Sequence, residues 1–153
     1  QSRVDEDLEA FVMRAGVLFR NYTAAMGYEA CGLILQNAQG QWAIPVVTNQ
    51  SQVACALPEP DLEGFTMTGM TIHSHPTEKT LVSNAADKAF SAMRQGSRSN
   101  TQRQHRRQSV NPHVFSSIDY ASGPGYLVVG DRVMFQQGRG TEREVGTLPG
   151  SLD

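Results

Sequence analysis

Two of the chain's four histidines, His73 and His75, stand in the stretch TIHSHP (71–76), separated by one serine and followed by Pro76. Along a strand side chains alternate between faces, so residues at i and i+2 project to the same side. Two neutral imidazoles side by side offer two nitrogen ligands to a metal ion. A catalytic zinc takes three protein ligands and keeps one position for water. The pair therefore needs a third ligand from elsewhere, drawn from His, Asp, Glu or Cys, and a general base within reach. One acid stands out early: Glu29 in YEACGLIL directly precedes an apolar run. A carboxylate at the mouth of a buried strand can be held at a sheet end with its charge facing a cleft. Taken alone, Glu29 reads first as an ordinary solvated turn residue.

The elements that must position these residues are legible in the spacing of apolar side chains. Val4, Leu8, Phe11, Val12, Ala15, Leu18, Phe19 and Tyr22 recur at steps of three and four and predict an amphipathic helix over 4–26. Asp5, Glu6 and Asp7 suit its positive end, and Gly27 is a natural stop. ACGLILQ (30–36), the turn NAQG and QWAIPVVT (41–48) predict a hairpin. The segment 49–68, with Pro58 and Pro60, reads as a loop carrying a broken strand, and GMTIHSH (69–75) as a strand ending at the histidine pair. SNAADKAFSAMRQ (83–95) has helical periodicity, with Ser83 or Asn84 as N-cap. GYLVV (125–129), the turn Gly130–Asp131 and RVMFQQG (132–138) form a second hairpin. Trp42 and Phe135 are expected in the core. The fold class is α/β in the α+β sense, a mixed and largely antiparallel sheet flanked by helices, in one domain over 1–153.

Composition bounds the function. Hydrophobic residues make up 39% and charged residues 18%, which suits a globular domain, and no apolar run approaches the ~18 residues that span a bilayer. No membrane partner is expected. The net charge of −2 points neither toward nor away from nucleic acid. Between Lys88 and Ile118 there is no carboxylate, whereas Arg94, Arg98, Arg103, Arg106 and Arg107 fall there. We read about 94–113 as a basic, polar, mobile surface insertion, with His105 and His113 solvent-exposed in it. Such a loop could meet phosphates, but no aromatic residue interleaves its arginines to stack on bases, so nucleic acid is not the expected partner. Cys31 and Cys55 are too few for a disulfide scaffold and read as buried free thiols, although they could pair in an exported protein. The start at Gln1 suggests a processed or excised piece, and leaves a cytoplasmic and an exported location equally open.

GYEACGLIL, then HSHP, then Ser-x-x-Asp, in that order, resembles the JAMM (MPN-plus, or JAB) metallopeptidase domain, over roughly residues 5–137. The resemblance implies an MPN/JAB-like fold with cytidine-deaminase-like layering. It implies a Zn2+ ion on His73, His75 and an aspartate. Glu29 would serve as general acid and base through the bound water, and the pattern's serine would stabilise the oxyanion. The implied substrate is a peptide or protein, such as a ubiquitin-like conjugate or an extended tail, cut at a peptide or isopeptide bond.

The third ligand is where the chain departs from that pattern, which sets the serine eight positions after the second histidine and the aspartate three further on. Ser83 fits, but the residue three beyond it is Ala86, and Asp87 is one place late. A one-residue expansion with Asn84 in the serine's place would admit Asp87. Alternatively FSSID supplies Ser116 and Asp119, which makes 77–113 an insertion between ligands. The tail FSSIDYASGPGYLVVGDRVMFQ is similar to bacterial JAB-like domains, some of them in toxins and secreted effectors, and favours Asp119. By themselves Asp87 reads as a first-turn helix acid and Asp119 as a turn or cap. If neither reached the metal, the chain would be a non-catalytic MPN-type interaction module.

Overall fold

The computed structural model describes residues 1–52, 55, 57, 59, 61–77, 80–82, 84–89, 107–109 and 111–150. Asp7 opens the first helix by accepting hydrogen bonds from the backbone N–H groups of Glu9 and Ala10, two donors a helix start otherwise leaves unpaired. Helix α1 then runs Leu8–Met26 and ends at Gly27, whose φ of 76° is a left-handed cap that glycine adopts freely. The helix starts four residues later than periodicity predicts. Glu6 accepts from the Arg3 N–H at 2.9 Å and pairs with Arg14 at 2.7 Å, fastening a turn that leaves Val4 in solvent.

Strands follow in the order β1 (Cys31–Asn37), β2 (Trp42–Ala43), β3 (Val46–Val47) and β4 (Phe65–His75). A short pair, β5 (Thr80–Val82) and β6 (Arg107–Ser109), is antiparallel and separate from the main sheet; residues 85–89 between them are helical (α2). After α3 (Ser117–Ala121) come β7 (Gly125–Val129), β8 (Arg132–Gln136) and β9 (Arg143–Thr147). The main sheet has the order β2-β1-β4-β7-β8-β9, with β3 also on β1. Among the described residues its ladders are antiparallel except β4 with β7. The architecture is α+β with a mixed, mostly antiparallel sheet, as the residue pattern predicts.

Alternation along β4 and β7 separates two cores. Ile72, Tyr126 and Val128 face α1 and join Val12, Phe19, Ile34, Val133 and Phe135, with Trp42 packed at the margin. Leu127 and Val129 face the other way and pack with Phe115, Tyr120 and Met134. In the β4–β7 register His73 lies opposite Leu127 and His75 opposite Val129, so both histidines stand on this second face. Each large side chain buried in these layers contributes roughly 2 kcal/mol, and the strand carrying the histidines is thereby fixed from both sides.

Several elements differ from the sequence expectation. Strand β4 begins at Phe65, not Gly69, because its first residues pair by backbone with Leu35, Gln36 and Asn37 while Met67 stays 62% exposed, leaving no burial pattern to read. Helix α3 is five residues long, too short for periodicity, and β9 is an edge strand with charged residues. Of the expected helix over 83–95, residues 85–89 are helical and Ser83 and 90–95 lie outside the described residues. Most of the basic insertion, including His105, also lies outside them; His113 is exposed, as expected.

The cysteines are a correction. Cys31 and Cys55 form a disulfide, with Cα atoms 6.1 Å apart, rather than standing as free thiols. The chain after β3 turns back across the start of β1, a path that composition does not reveal. Closing a 24-residue separation in this way stabilises the fold by about 3 kcal/mol. No helix among the described residues is long and apolar enough to cross a membrane.

Candidate metal centre

Ser74, between the histidines, shows how β4 is anchored. Its Oγ lies 2.5 Å from Thr23 Oγ1 of α1 and accepts the Ala30 N–H at 3.1 Å, while its own N–H donates to the Ala30 carbonyl at 2.9 Å. The serine is structural, as its alternation to the opposite face predicts, and it pins the residue next to Glu29. The Glu29 N–H donates to the Ser51 carbonyl at 2.7 Å, and the Glu29 carbonyl accepts from Thr48 Oγ1 at 3.2 Å. So fixed, Glu29 is 4% exposed and reaches the pair: candidate ligand atoms of Glu29, His73 and His75 all lie within 4.8 Å of one another.

Asp119 comes to the same place. Its Oδ2 is 3.2 Å from His73 Nε2 and 3.6 Å from His75 Nε2, and the two Nε2 atoms are 3.1 Å apart. The carboxylate is set by a reciprocal cap at the start of α3, where Ser116 N–H donates to Asp119 Oδ2 at 2.7 Å and Asp119 N–H donates to Ser116 Oγ at 3.2 Å. Ser116 also lines the cleft beside Glu29 and His75.

Asp87, the alternative ligand, is engaged elsewhere. Its Oδ1 accepts from Ser51 Oγ at 2.5 Å and the Gln52 N–H at 2.8 Å; its Oδ2 accepts from Gln52 Nε2 and the Asn84 N–H, each at 3.0 Å. The side chain is 1% exposed. It closes a second reciprocal cap, with its own N–H donating to Asn84 Oδ1 at 2.9 Å. Asp87 thus holds the loop whose Ser51 carbonyl holds Glu29.

Three features of the site escape sequence reading. His75 Nδ1 lies 2.9 Å from the Pro112 carbonyl. A carbonyl only accepts, so Nδ1 carries the proton and Nε2 of the neutral ring is a bare lone pair facing the site. Phe115 packs edge-on against His73 at 6.4 Å between ring centroids. Gln52 lines the cleft on the Glu29 side. The sequence carries no signal for these contacts, because all come from segments whose path back to β4 is set by tertiary packing.

Charge at the site follows from these neighbours. Burial, and then the adjacent His73, push the His75 imidazole down to about 4. Burial pushes the Asp119 carboxyl up, but the His73 hydrogen bond, the charge of both imidazoles and the Ser116 N–H outweigh it and hold it at about 2. At neutral pH the centre therefore offers a carboxylate and a neutral His75.

This donor set fits a metal ion. A tetrahedral zinc with ligands at ~2.0–2.1 Å separates them by ~3.3 Å along each edge. The observed edges, 3.1, 3.2 and 3.6 Å, bracket that value. His73 Nε2 has at most one N–H to divide between the bare His75 nitrogen and the Asp119 carboxylate, whereas a cation among them serves all three. The described residues thus bring together His73, His75, Asp119, Glu29 and Ser116, and turn Asp87 to another task. No protein-family model matches the chain, and comparison with curated proteins and with solved structures likewise returns no match.

Proposed function

We propose that the chain is a JAMM-type zinc peptidase or isopeptidase with MPN/JAB-like layering, hydrolysing a peptide or isopeptide bond with activated water. The observation that carries this reading is the near-tetrahedral triangle of His73 Nε2, His75 Nε2 and Asp119 Oδ2 beside the buried carboxylate of Glu29. His73, His75 and Asp119 would hold the ion, with the Pro112 carbonyl fixing the His75 tautomer. Zinc, when bound, supplies a Lewis acid that polarises a carbonyl and brings the pKa of water toward ~7.

Glu29 takes a proton from the attacking water and delivers it to the leaving amine, which requires hydrogen-bond reach and not ligation. Its backbone is clamped on both sides by Ser51 and Thr48, so the carboxylate is positioned before substrate arrives. Ser116 accepts the Asp119 N–H on its Oγ, and the hydroxyl proton is the group it can offer to the developing oxyanion. The Cys31–Cys55 disulfide favours an exported setting, since such bonds persist in oxidising compartments.

The test is hydrolysis of a mixed peptide library, and of isopeptide-linked conjugates, by the zinc-loaded protein and its Glu29→Gln variant. The reading expects cleavage that falls by roughly 10²–10⁴-fold in the variant with zinc still bound. Zinc binding without cleavage of any substrate would overturn the enzyme reading and favour a non-catalytic interaction module.

A further inference from the structure

The cleft that opens from Glu29 and His75 encloses about 320 Å³, and its remaining apolar walls are Pro76, Pro112, Val114 and Phe115. That volume lies at the small end of ligand sites and suits one side chain with its flanking backbone. Apart from Glu29 and His75, both already committed to the centre, none of its described lining residues is charged; Gln52, Asn111, Ser116 and Ser117 are polar and neutral. Phe115 is 8% exposed and packs on His73 beneath, whereas Val114, the next residue, is 51% exposed. Apolar surface therefore extends from Phe115, against the candidate metal centre, to the exposed Val114.

We infer that this cleft is a specificity subsite that takes an uncharged, apolar side chain flanking the scissile bond. The inference rests on the peptidase reading and narrows its substrate to peptides with a residue such as Leu, Phe or Met at that place. A carboxylate there would face Glu29, which lines the same cleft, and be repelled. A lysine would give up hydration to the proline, valine and phenylalanine walls, and the one carboxylate in the lining, Glu29, is already committed to the centre. An apolar side chain loses nothing by entering, and it covers the surface that Val114 now exposes to water.

The experiment compares two peptides differing only at the residue beside the cleaved bond, Leu in one and Glu in the other, on the zinc-loaded protein and its Val114→Arg variant. Val114 is exposed and lies outside the catalytic set, so the variant is expected to fold and to keep its zinc. The expected kcat/KM ratio favours Leu by at least ~10-fold in the parent and falls by about that factor in the variant. In parallel, N-acetyl-leucinamide and N-acetyl-glutamate amide are titrated into the zinc-loaded protein while the Val114 methyl resonances are followed. Tighter binding of the leucine compound at Val114 supports the subsite even if neither peptide is cleaved, a result that would sink the peptidase reading alone. Cleavage with no preference for Leu, a ratio unmoved by Val114→Arg, or equal binding of the two amides would overturn the subsite and leave the peptidase reading standing.

Discussion

Two places in this molecule use the same local device for different ends. Asn84 and Asp87 cap the start of α2, and Ser116 and Asp119 cap the start of α3; in each, side chain and backbone three residues apart exchange hydrogen bonds. The spare acceptor capacity is what differs. Asp119 spends it on the two imidazoles of β4, whereas Asp87 spends it on Ser51 and Gln52. The first thus completes a candidate metal site and the second secures the loop behind the candidate general base. A cap fixes where a carboxylate starts, and the packing around it decides what the carboxylate does.

The contrast can be broken from either side. The largest effect is expected from His75→Ala, which removes one corner of the triangle. Zinc affinity should fall by roughly 100-fold or more, beyond the range seen for losing a supporting contact, as measured by competition with a chromogenic chelator. Asp87→Ala should leave that affinity within a few-fold and instead destabilise the fold by about 3–4 kcal/mol in a denaturant titration. The substitution strands four donors on Ser51, Gln52 and Asn84 in a buried setting.

Acid should act on the imidazole side. The unfolded chain takes up the His75 proton at the ordinary value of 6.5, and the folded chain only near 4. Through that window the unfolded state binds more protons, so the metal-free protein loses stability as pH falls from about 6.5 to about 4, by an amount on the order of 3 kcal/mol. Asp119 has the opposite ionic form but the same slope. Its carboxyl, held at about 2 against 3.8, stabilises the fold above 3.8, and that contribution is lost as pH falls toward 2. Urea titrations at stepped pH values check both. The smallest effect belongs to Ser116→Ala, which removes one cap hydrogen bond and should cost about 1 kcal/mol. It should also lower turnover of a cleaved peptide by more than it changes zinc affinity.

How much of this was legible before the structure depended on range. The same-face pairing of His73 and His75, the opposite orientation of Ser74 and the cap at Gly27 follow from local geometry and were readable. So was the core place of Phe135, whereas Trp42, expected in the core as well, is only partly buried at its margin. Local geometry did not separate Asp87 from Asp119, since both sit three residues after a capping side chain; only the resemblance of the tail favoured Asp119. The Cys31–Cys55 bond and the Pro112 carbonyl behind His75 were hidden for the same reason: each joins segments distant in the chain, 24 and 37 residues apart. The start of β4 at Phe65 escaped because a strand that pairs by backbone with its side chains in solvent leaves no alternation behind.

The most direct test of the central claim is zinc stoichiometry by elemental analysis after dialysis, on the parent protein and on Asp119→Ala and Asp87→Ala side by side. The account predicts about one zinc per chain in the parent and in Asp87→Ala, and little or none in Asp119→Ala. Full retention in Asp119→Ala, or a parent that holds no zinc when zinc is supplied, would contradict it.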